Sequence, residues 1–356
     1  MTTSKPIDEF GLGLIHALQL RPRAEWAELA RPLGVSAATV AKHWKSLRER
    51  GLAWVGVGPG RNLLRDGGVG FVLLRCRAGD QEALARRLID EPTVATLDTT
   101  MGSTHLLLDV LTPDISHLRE YVGERLPGLP GVEQVTSMVN TSVYAGGTRW
   151  RVGSLDSEQV TRLSAPTSER VGRAERHRLD GLDRRIIGEL TLDGRISLAQ
   201  LAVRCGTTAP TAKRRIGWLV ASQTISLRCE MATQMARPMI SVTYLFRVPT
   251  AQLDRVGDFL TSLGSCRLAA AVTGSYNLLS TMWLANVAEI RQLENLVVNQ
   301  FPDVIVGETI VHIASRKRIG HVLDHDNRSV GIVPLAAWDA SGVTKSRRVA
   351  VAGQPD

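Results

Sequence analysis

Cysteine is scarce: 356 residues hold four, Cys76, Cys205, Cys229 and Cys266, far apart and without C-x-x-C spacing. That argues against a zinc ribbon or a disulfide framework, so the thiols read as reduced core residues of a cytoplasmic protein. Aromatics make up only 4%, and no K/R-G-F/Y-G/A-F-V-x-F/Y run is present, so a sheet that stacks RNA bases is not indicated. No stretch of about 18 uncharged apolar residues occurs, which argues against a membrane partner. The N-terminal MTTSKPIDEF lacks the apolar segment of a secretory leader. Gly56-x-Gly58-x-Gly60 has no following helix within a βαβ unit and reads as a flexible hinge rather than a phosphate cradle. His321, Asp324, His325 and Asp326 stand in a polar tail and read as solvated loop. Neither a catalytic set, a cofactor nor a metal site is expected.

Positive charge is what the chain has. The formal net charge is +8 and the pI near 9.7, which favours a polyanionic partner. The charge is concentrated: Met1 to Val55 carries 8 Lys and Arg against 5 Asp and Glu, and Arg178 to Arg228 carries 9 against 4.

Shifting the sequence against itself by 172 positions aligns its halves without a gap. Asp8 falls on Asp180, Leu29-Ala30 on Leu201-Ala202, Gly34 on Gly206, Gly102-Ser103 on Gly274-Ser275 and Pro130 on Pro302. Such a match implies two tandem copies of one unit.

Each copy opens with a helix-turn-helix pattern. In the second, Leu182, Ile186, Ile187 and Leu190 recur at helical spacing, Asp193-Gly194-Arg195 breaks the run, and Ser197 starts a helix carrying Leu201 and Ala202. Gly206 permits a tight turn, and Thr208 caps a third helix that buries Ala212, Ile216 and Leu219. This leaves Thr208, Thr211, Lys213, Arg214 and Arg215 as candidate DNA contacts, the two arginines expected to reach bases and to be dispensable for folding. In the first copy Ser36 caps a helix that buries Val40, Trp44 and Leu47 and offers Ser36, Thr39, Lys42, His43, Lys45 and Ser46. A basic helical face alone is usually a solvated face. Its recurrence after the same helix, helix and glycine turn is what points to double-stranded DNA.

Each copy closes with a β-α-β-β-α-β pattern, Phe71 to Val143 and Thr243 to Ile313, the ferredoxin-like order. The fold class expected is therefore α+β: two tandem units, each an N-terminal helix-turn-helix followed by a ferredoxin-like βαββαβ domain. The expected boundaries are 1–56 and 178–228 for the DNA-binding heads and 68–145 and 238–318 for the regulatory domains. Between and after them lie a 146–177 linker with a helix around Ser157 to Leu163, and a 319–356 tail expected to be partly disordered. One face of each sheet lacks a helix cover, and pairing the two sheets within one chain would hide both.

The run L-D-x-L-D-R-R-I-I-x-x-L-x-x-D-G-R-I-S from Leu179 to Ser197, with Leu201-Ala202 and Thr273-Gly274-x-x-Asn277, resembles the Lrp/AsnC family of leucine-responsive, or feast/famine, transcriptional regulators. The resemblance implies a DNA-binding regulator that forms homo-oligomers, here a dimer or tetramer of the duplicated chain. It also implies a small-molecule effector, an amino acid or other metabolite, held near the turn after the second strand of each regulatory domain. Those turns offer Gly102, Ser103 and His105, and Gly274, Ser275, Tyr276 and Asn277. Where the family often has Asp, this chain has His105 and Asn277, and neutral Asn supplies no charge for an effector's ammonium. The rival reading is a tetrapyrrole (haem-pathway) decarboxylase on the same fold, for which His105, His312 and Arg267 are available.

Overall fold

The computed structural model describes residues 6–146, 150–164, 179–338 and 348–350. The first half runs α1 (Glu9–Leu20), α2 (Trp26–Leu33), α3 (Ala37–Glu49), β1 (Ala53–Pro59), α4 (Arg61–Asp66), β2 (Gly68–Cys76), α5 (Gln81–Ile89), β3 (Val94–Thr100), β4 (Leu106–Thr112), α6 (Ile115–Glu120) and β5 (Val132–Ala145). After a linker helix α7 (Ser157–Ser164) come α8 (Gly181–Leu192), α9 (Leu198–Cys205), α10 (Ala209–Ala221), β6 (Ile225–Met231), α11 (Thr233–Ala236), β7 (Ile240–Arg247), α12 (Leu253–Ser262), β8 (Cys266–Val272), β9 (Leu278–Leu284), α13 (Ala288–Gln300) and β10 (Ile305–Arg318). Short strands β11 (His321–Leu323), β12 (Ser329–Ile332) and β13 (Val349–Ala350) follow. The chain forms two compact units, one of Met1–Leu63, Arg151–Arg237 and Ile319–Asp356, the other of Leu64–Trp150 and Pro238–Arg318.

The first unit holds both helical heads. Their helices begin where side chains satisfy orphan backbone donors. Asp8 accepts from Gly11 N, Ser36 from Thr39 N, Ser197 from Gln200 N and Thr208 from Thr211 N, and Asp180 forms a reciprocal capping pair with Asp183. Helices α2 and α9 end on Gly34 and Gly206 at φ 67° and 64°, left-handed conformations that favour glycine. Leu14, Ile15, Leu18, Leu29 and Leu47 are fully or almost fully buried in the first head, and Ile186, Leu190, Leu201 and Leu219 in the second. Strands β1 and β6 pair antiparallel, with Ala53 opposite Met231 and Pro59 opposite Ile225. The central pair, Gly56 and Arg228, stands at the same offset that aligns the two sequence halves, so the ribbon has local two-fold symmetry.

That ribbon departs from the expected hinge. Gly56 and Gly58 are ladder residues, and a Cβ on Gly58 would lie 3.0 Å from Arg228 Cδ. A Cβ on Gly60 would lie 2.1 Å from Gln223 O. The glycines permit close approach rather than motion. The start of the tail is ordered from Ile319 to Trp338, so His321, read above as solvated loop, is instead buried. Ser329 N donates to Gly51 O at 2.9 Å, Asn327 Nδ2 to Thr233 Oγ1 at 3.0 Å, and His321 stacks on Trp54. The disorder expected near the C-terminus falls mostly outside the described residues.

In the second unit, β2, β3, β4 and β5 pair in the order β3-β4-β2-β5, and β7 to β10 in the order β8-β9-β7-β10. The two four-stranded sets join at both edges. Asn140 opposes Val272 across β5 and β8, and His312 opposes Thr100 across β10 and β3. Eight antiparallel strands thereby close on themselves and leave no open edge. Helices α12 and α13 cover a core around Tyr244, Phe246, Val256 and Val297. A second apolar cluster joins Phe71, Leu107 and Met138 from one half to Leu245, Leu279 and Ile310 from the other. Helix α6 changes winding after Glu120 into a π turn over Tyr121–Arg125. There Tyr121 OH donates to Glu91 Oε2 at 2.6 Å, and Arg125 pairs with Glu91 Oε1.

Candidate nucleic-acid interface and regulatory turns

Helices α3 and α10 each bury an i, i+4, i+7 stripe, Val40, Trp44 and Leu47 in one and Ala212, Ile216 and Leu219 in the other. Opposite that stripe, Thr39, Lys42, Lys45 and Ser46 are exposed on α3, and Lys213 and Arg214 on α10. Among the described residues, Lys42 and Arg214 make no ion pair or hydrogen bond, and they occupy the same place at the 172-residue offset. Ser36 and Thr208 spend their hydroxyls on the caps and on Thr39 and Thr211, at 2.8 and 3.0 Å. Linker helix α7 packs on α1 and α2 and leaves the outer face of α3 uncovered.

Two expected DNA contacts are engaged elsewhere. Arg215 bonds Asp180 Oδ2 at 2.8 Å and both oxygens of Asp183, whose side chain is 0% exposed. The Asp183 N–H, helped by Arg215, holds the Asp180 carboxyl below the usual range. His43, at the equivalent place in the first head, lies 3.1 Å from Asp8 Oδ1 and packs edge-on against Phe10. Both side chains tie the third helix to the cap of the first. The expectation that Arg215 reaches a base and is dispensable for folding is corrected: a buried carboxylate depends on it.

The heads are held together by a pair of reciprocal arginines. Arg23 donates to Gly194 O and Ile196 O at 2.5 and 2.9 Å, while Arg195 donates to Pro22 O and Ala24 O at 2.6 and 2.7 Å. These are the same two contacts exchanged between the halves. Arg195 also lies 3.8 Å above the Trp26 ring, a cation–π contact. Burial and the repulsion of nearby Arg23 lower its pKa to about 10. The sequence signal was Arg23 falling on Arg195, inside turns that otherwise differ.

The two turns of the second unit share a construction of their own. Gly102 and Gly274 have φ of 99° and 117°, and Ser103 and Ser275 are exposed. Asn277 accepts from Val248 N and donates to Val248 O, both at 2.8 Å. His105 Nδ1 accepts from Cys76 N at 3.0 Å, which leaves a neutral ring's proton on Nε2. Both side chains therefore brace the end of a neighbouring strand, at equivalent positions. The Tyr276 ring covers Gly307, where a Cβ would lie 2.0 Å from Cε1.

Sequence reasoning did not anticipate the polar chain inside the second unit. His312, with its side chain 4% exposed, lies 2.9 Å from Thr243 Oγ1 through Nε2 and 3.4 Å from Asp98 Oδ2 through Nδ1, and Thr243 contacts Thr281 Oγ1 at 2.8 Å. Arg267 lies over the Trp283 ring. In the tail, Asp324, His325 and Asp326 bring potential ligand atoms within 4.8 Å of one another, but Arg328 pairs with both carboxylates and His321 is buried under Trp54. No helix among the described residues is long and apolar enough to cross a membrane.

Two family models match the chain: an AsnC-type helix-turn-helix domain over residues 179–219, and an Lrp/AsnC ligand binding domain over residues 69–149. The HTH-type transcriptional regulator FL11 of Pyrococcus horikoshii is 23% identical over 137 residues, 38% of this chain and 89% of that protein. Its namesake from Pyrococcus furiosus is 23% identical over 144 residues, 39% of this chain and 91% of that one. Among solved structures, the siroheme decarboxylase NirDL superposes with a TM-score of 0.56 at 14% identity, covering 88% of this chain and 93% of its own. That likeness is one of fold, spanning both units.

Proposed function

We propose, from these two domain likenesses, that the chain is a DNA-binding transcriptional regulator of the Lrp/AsnC type and a tandem duplication in which one polypeptide supplies both reading helices. Helices α3 and α10 enter successive major grooves, with Lys42 and Arg214 at their centres and Thr39, Thr211, Lys45, Ser46 and Lys213 around them. The second unit pairs the two regulatory domains and takes a small-molecule effector at the turns of Gly102-Ser103 and Gly274-Ser275. The chain associates further into homo-oligomers, and its role is regulation rather than catalysis.

The observation that carries this reading is the equivalence of Lys42 and Arg214: two solvated cations at one position of two capped helices, each helix braced on its own head by Asp8 and His43 or Asp180 and Arg215. The test is fluorescence anisotropy with genomic fragments across a salt series. Affinity should fall linearly on a log–log plot, and Lys42→Ala should flatten the slope by roughly one unit. Absence of salt-sensitive binding to any fragment would refute the proposal.

A second reading has one observation behind it, the buried Asp98, His312 and Thr243 chain in a fold that likens the whole molecule to a siroheme decarboxylase. Incubation with an iron tetrapyrrole, followed by absorbance and carbon dioxide release, separates the two. Turnover abolished by His312→Ala would favour the enzyme.

A further inference from the structure

The reading helices occupy equivalent positions but differ in chemistry. Where α3 has Lys42, α10 has Arg214; Lys45 is matched by Gly217, Ser46 by Trp218 and Ala41 by Lys213. The outer face of α3 thus carries two ammonium groups and two hydroxyls, one ammonium drawn to Glu49 at 3.8 Å. The outer face of α10 carries the only exposed guanidinium in the first two turns of either helix. An ammonium is a compact, strongly hydrated charge suited to phosphate, whereas a planar guanidinium matches O6 and N7 of guanine with two parallel bonds.

The frame around the helices is uneven as well. Arg48, in the last turn of α3, bonds Asp193 of the second head at 2.5 Å. The counterpart positions are Val220 and Arg21, which cannot form such a pair. Arg21 bonds Glu28 of its own head instead.

We infer that the chain recognises an imperfect inverted repeat in duplex DNA, with guanine required in one arm only. Arg214 reads that guanine from α10. Through Lys42 and Lys45, α3 grips phosphates of the other arm and selects its bases weakly. Because both heads belong to one chain, each duplex is bound in one orientation. This inference rests on the DNA-binding reading above, which remains intact if the asymmetry is absent.

The test is selection of binding sites from randomised duplexes by the full chain, then affinity measurements on the selected site and on versions with either arm duplicated. The expected consensus has a guanine preference in one arm, and Arg214→Lys should weaken discrimination there by roughly 10- to 100-fold, leaving the other arm unchanged. Lys42→Arg should create a guanine preference in the opposite arm and raise affinity for the site with two guanine-bearing arms. Both changes keep charge at exposed positions, so folding is not at issue. A consensus equally strong in both arms, or unchanged base preference in Arg214→Lys, would overturn the inference while leaving DNA binding standing. Failure to select any duplex would remove both.

Discussion

Lys317 sits on β10 with its side chain fully buried, and its Nζ donates to Glu91 O at 2.8 Å. Burial lowers its pKa from 10.5 to about 7, against the weaker opposing pull of Asp90 and Glu91. Because the folded pKa lies below the unfolded one, the unfolded chain binds more protons between these values, and stability rises with pH across that window. Below pH 7 both states are protonated and the penalty is constant; above 10.5 neither is, and it vanishes. At about 1.4 kcal/mol per pH unit, the penalty near pH 7 is about 4 kcal/mol. Lys317→Met removes it and strands the Glu91 carbonyl at a cost of about 1–3 kcal/mol, so a net gain of about 1–3 kcal/mol is expected at pH 7. The assay is hydrogen exchange with mass spectrometry on peptides from β3 and β10, from pH 7 to 10, corrected for intrinsic exchange. Wild-type protection should rise with pH and the variant's should not. Parallel profiles would show that Lys317 is charged and compensated in the fold, refuting the argument.

Other outcomes follow from the same geometry. His321 is buried with a pKa lowered to about 3 by desolvation; its contribution is complete above the unfolded value of about 6.5 and is lost as pH falls toward 3. Acid titration of Trp54 fluorescence should register this, and His321→Phe should shift the midpoint to lower pH. Arg215→Ala leaves buried Asp183 uncompensated and should cost about 3–5 kcal/mol in urea unfolding, whereas Arg214→Ala should stay within about 0.5 kcal/mol. Arg23→Ala and Arg195→Ala each strand two backbone carbonyls and should destabilise the first unit by about 2–5 kcal/mol, with Arg195→Ala the worse because it also loses the Trp26 contact; equal losses in the two variants would contradict that ranking.

Local rules reached much of this fold. Ser36, Ser197 and Thr208 marked helix starts, and the stripe of Ala212, Ile216 and Leu219 gave the buried side of α10. What local rules could not reach were the partners of polar side chains. Arg195 meets Pro22 O across 173 residues of chain, and only the repeat, in which Arg23 falls on Arg195, hints at the contact. Arg215 and Arg214 are neighbours with opposite fates, decided by whether Asp183 lies beneath. Glycine misled once: AWVGVGP reads as a hinge until β6 supplies its ladder. The bonds of His105 to Cys76 N and of Asn277 to Val248 were likewise out of local reach. In each case the deciding atom comes from a segment far along the chain.

In the second unit, both seams of the closed sheet, β5 with β8 and β10 with β3, are made within a single polypeptide. A two-fold assembly of identical subunits must match a surface to itself, so each substitution appears twice, and the pairing weakens on dilution. Here the facing surfaces are encoded separately and pair at any protein concentration. One side can then change alone, as where His312 occupies the place that Asn140 holds in the other half, or Asp98 the place of Ala270. Freed from self-matching, the two halves of this molecule can drift apart in what they contact without losing each other.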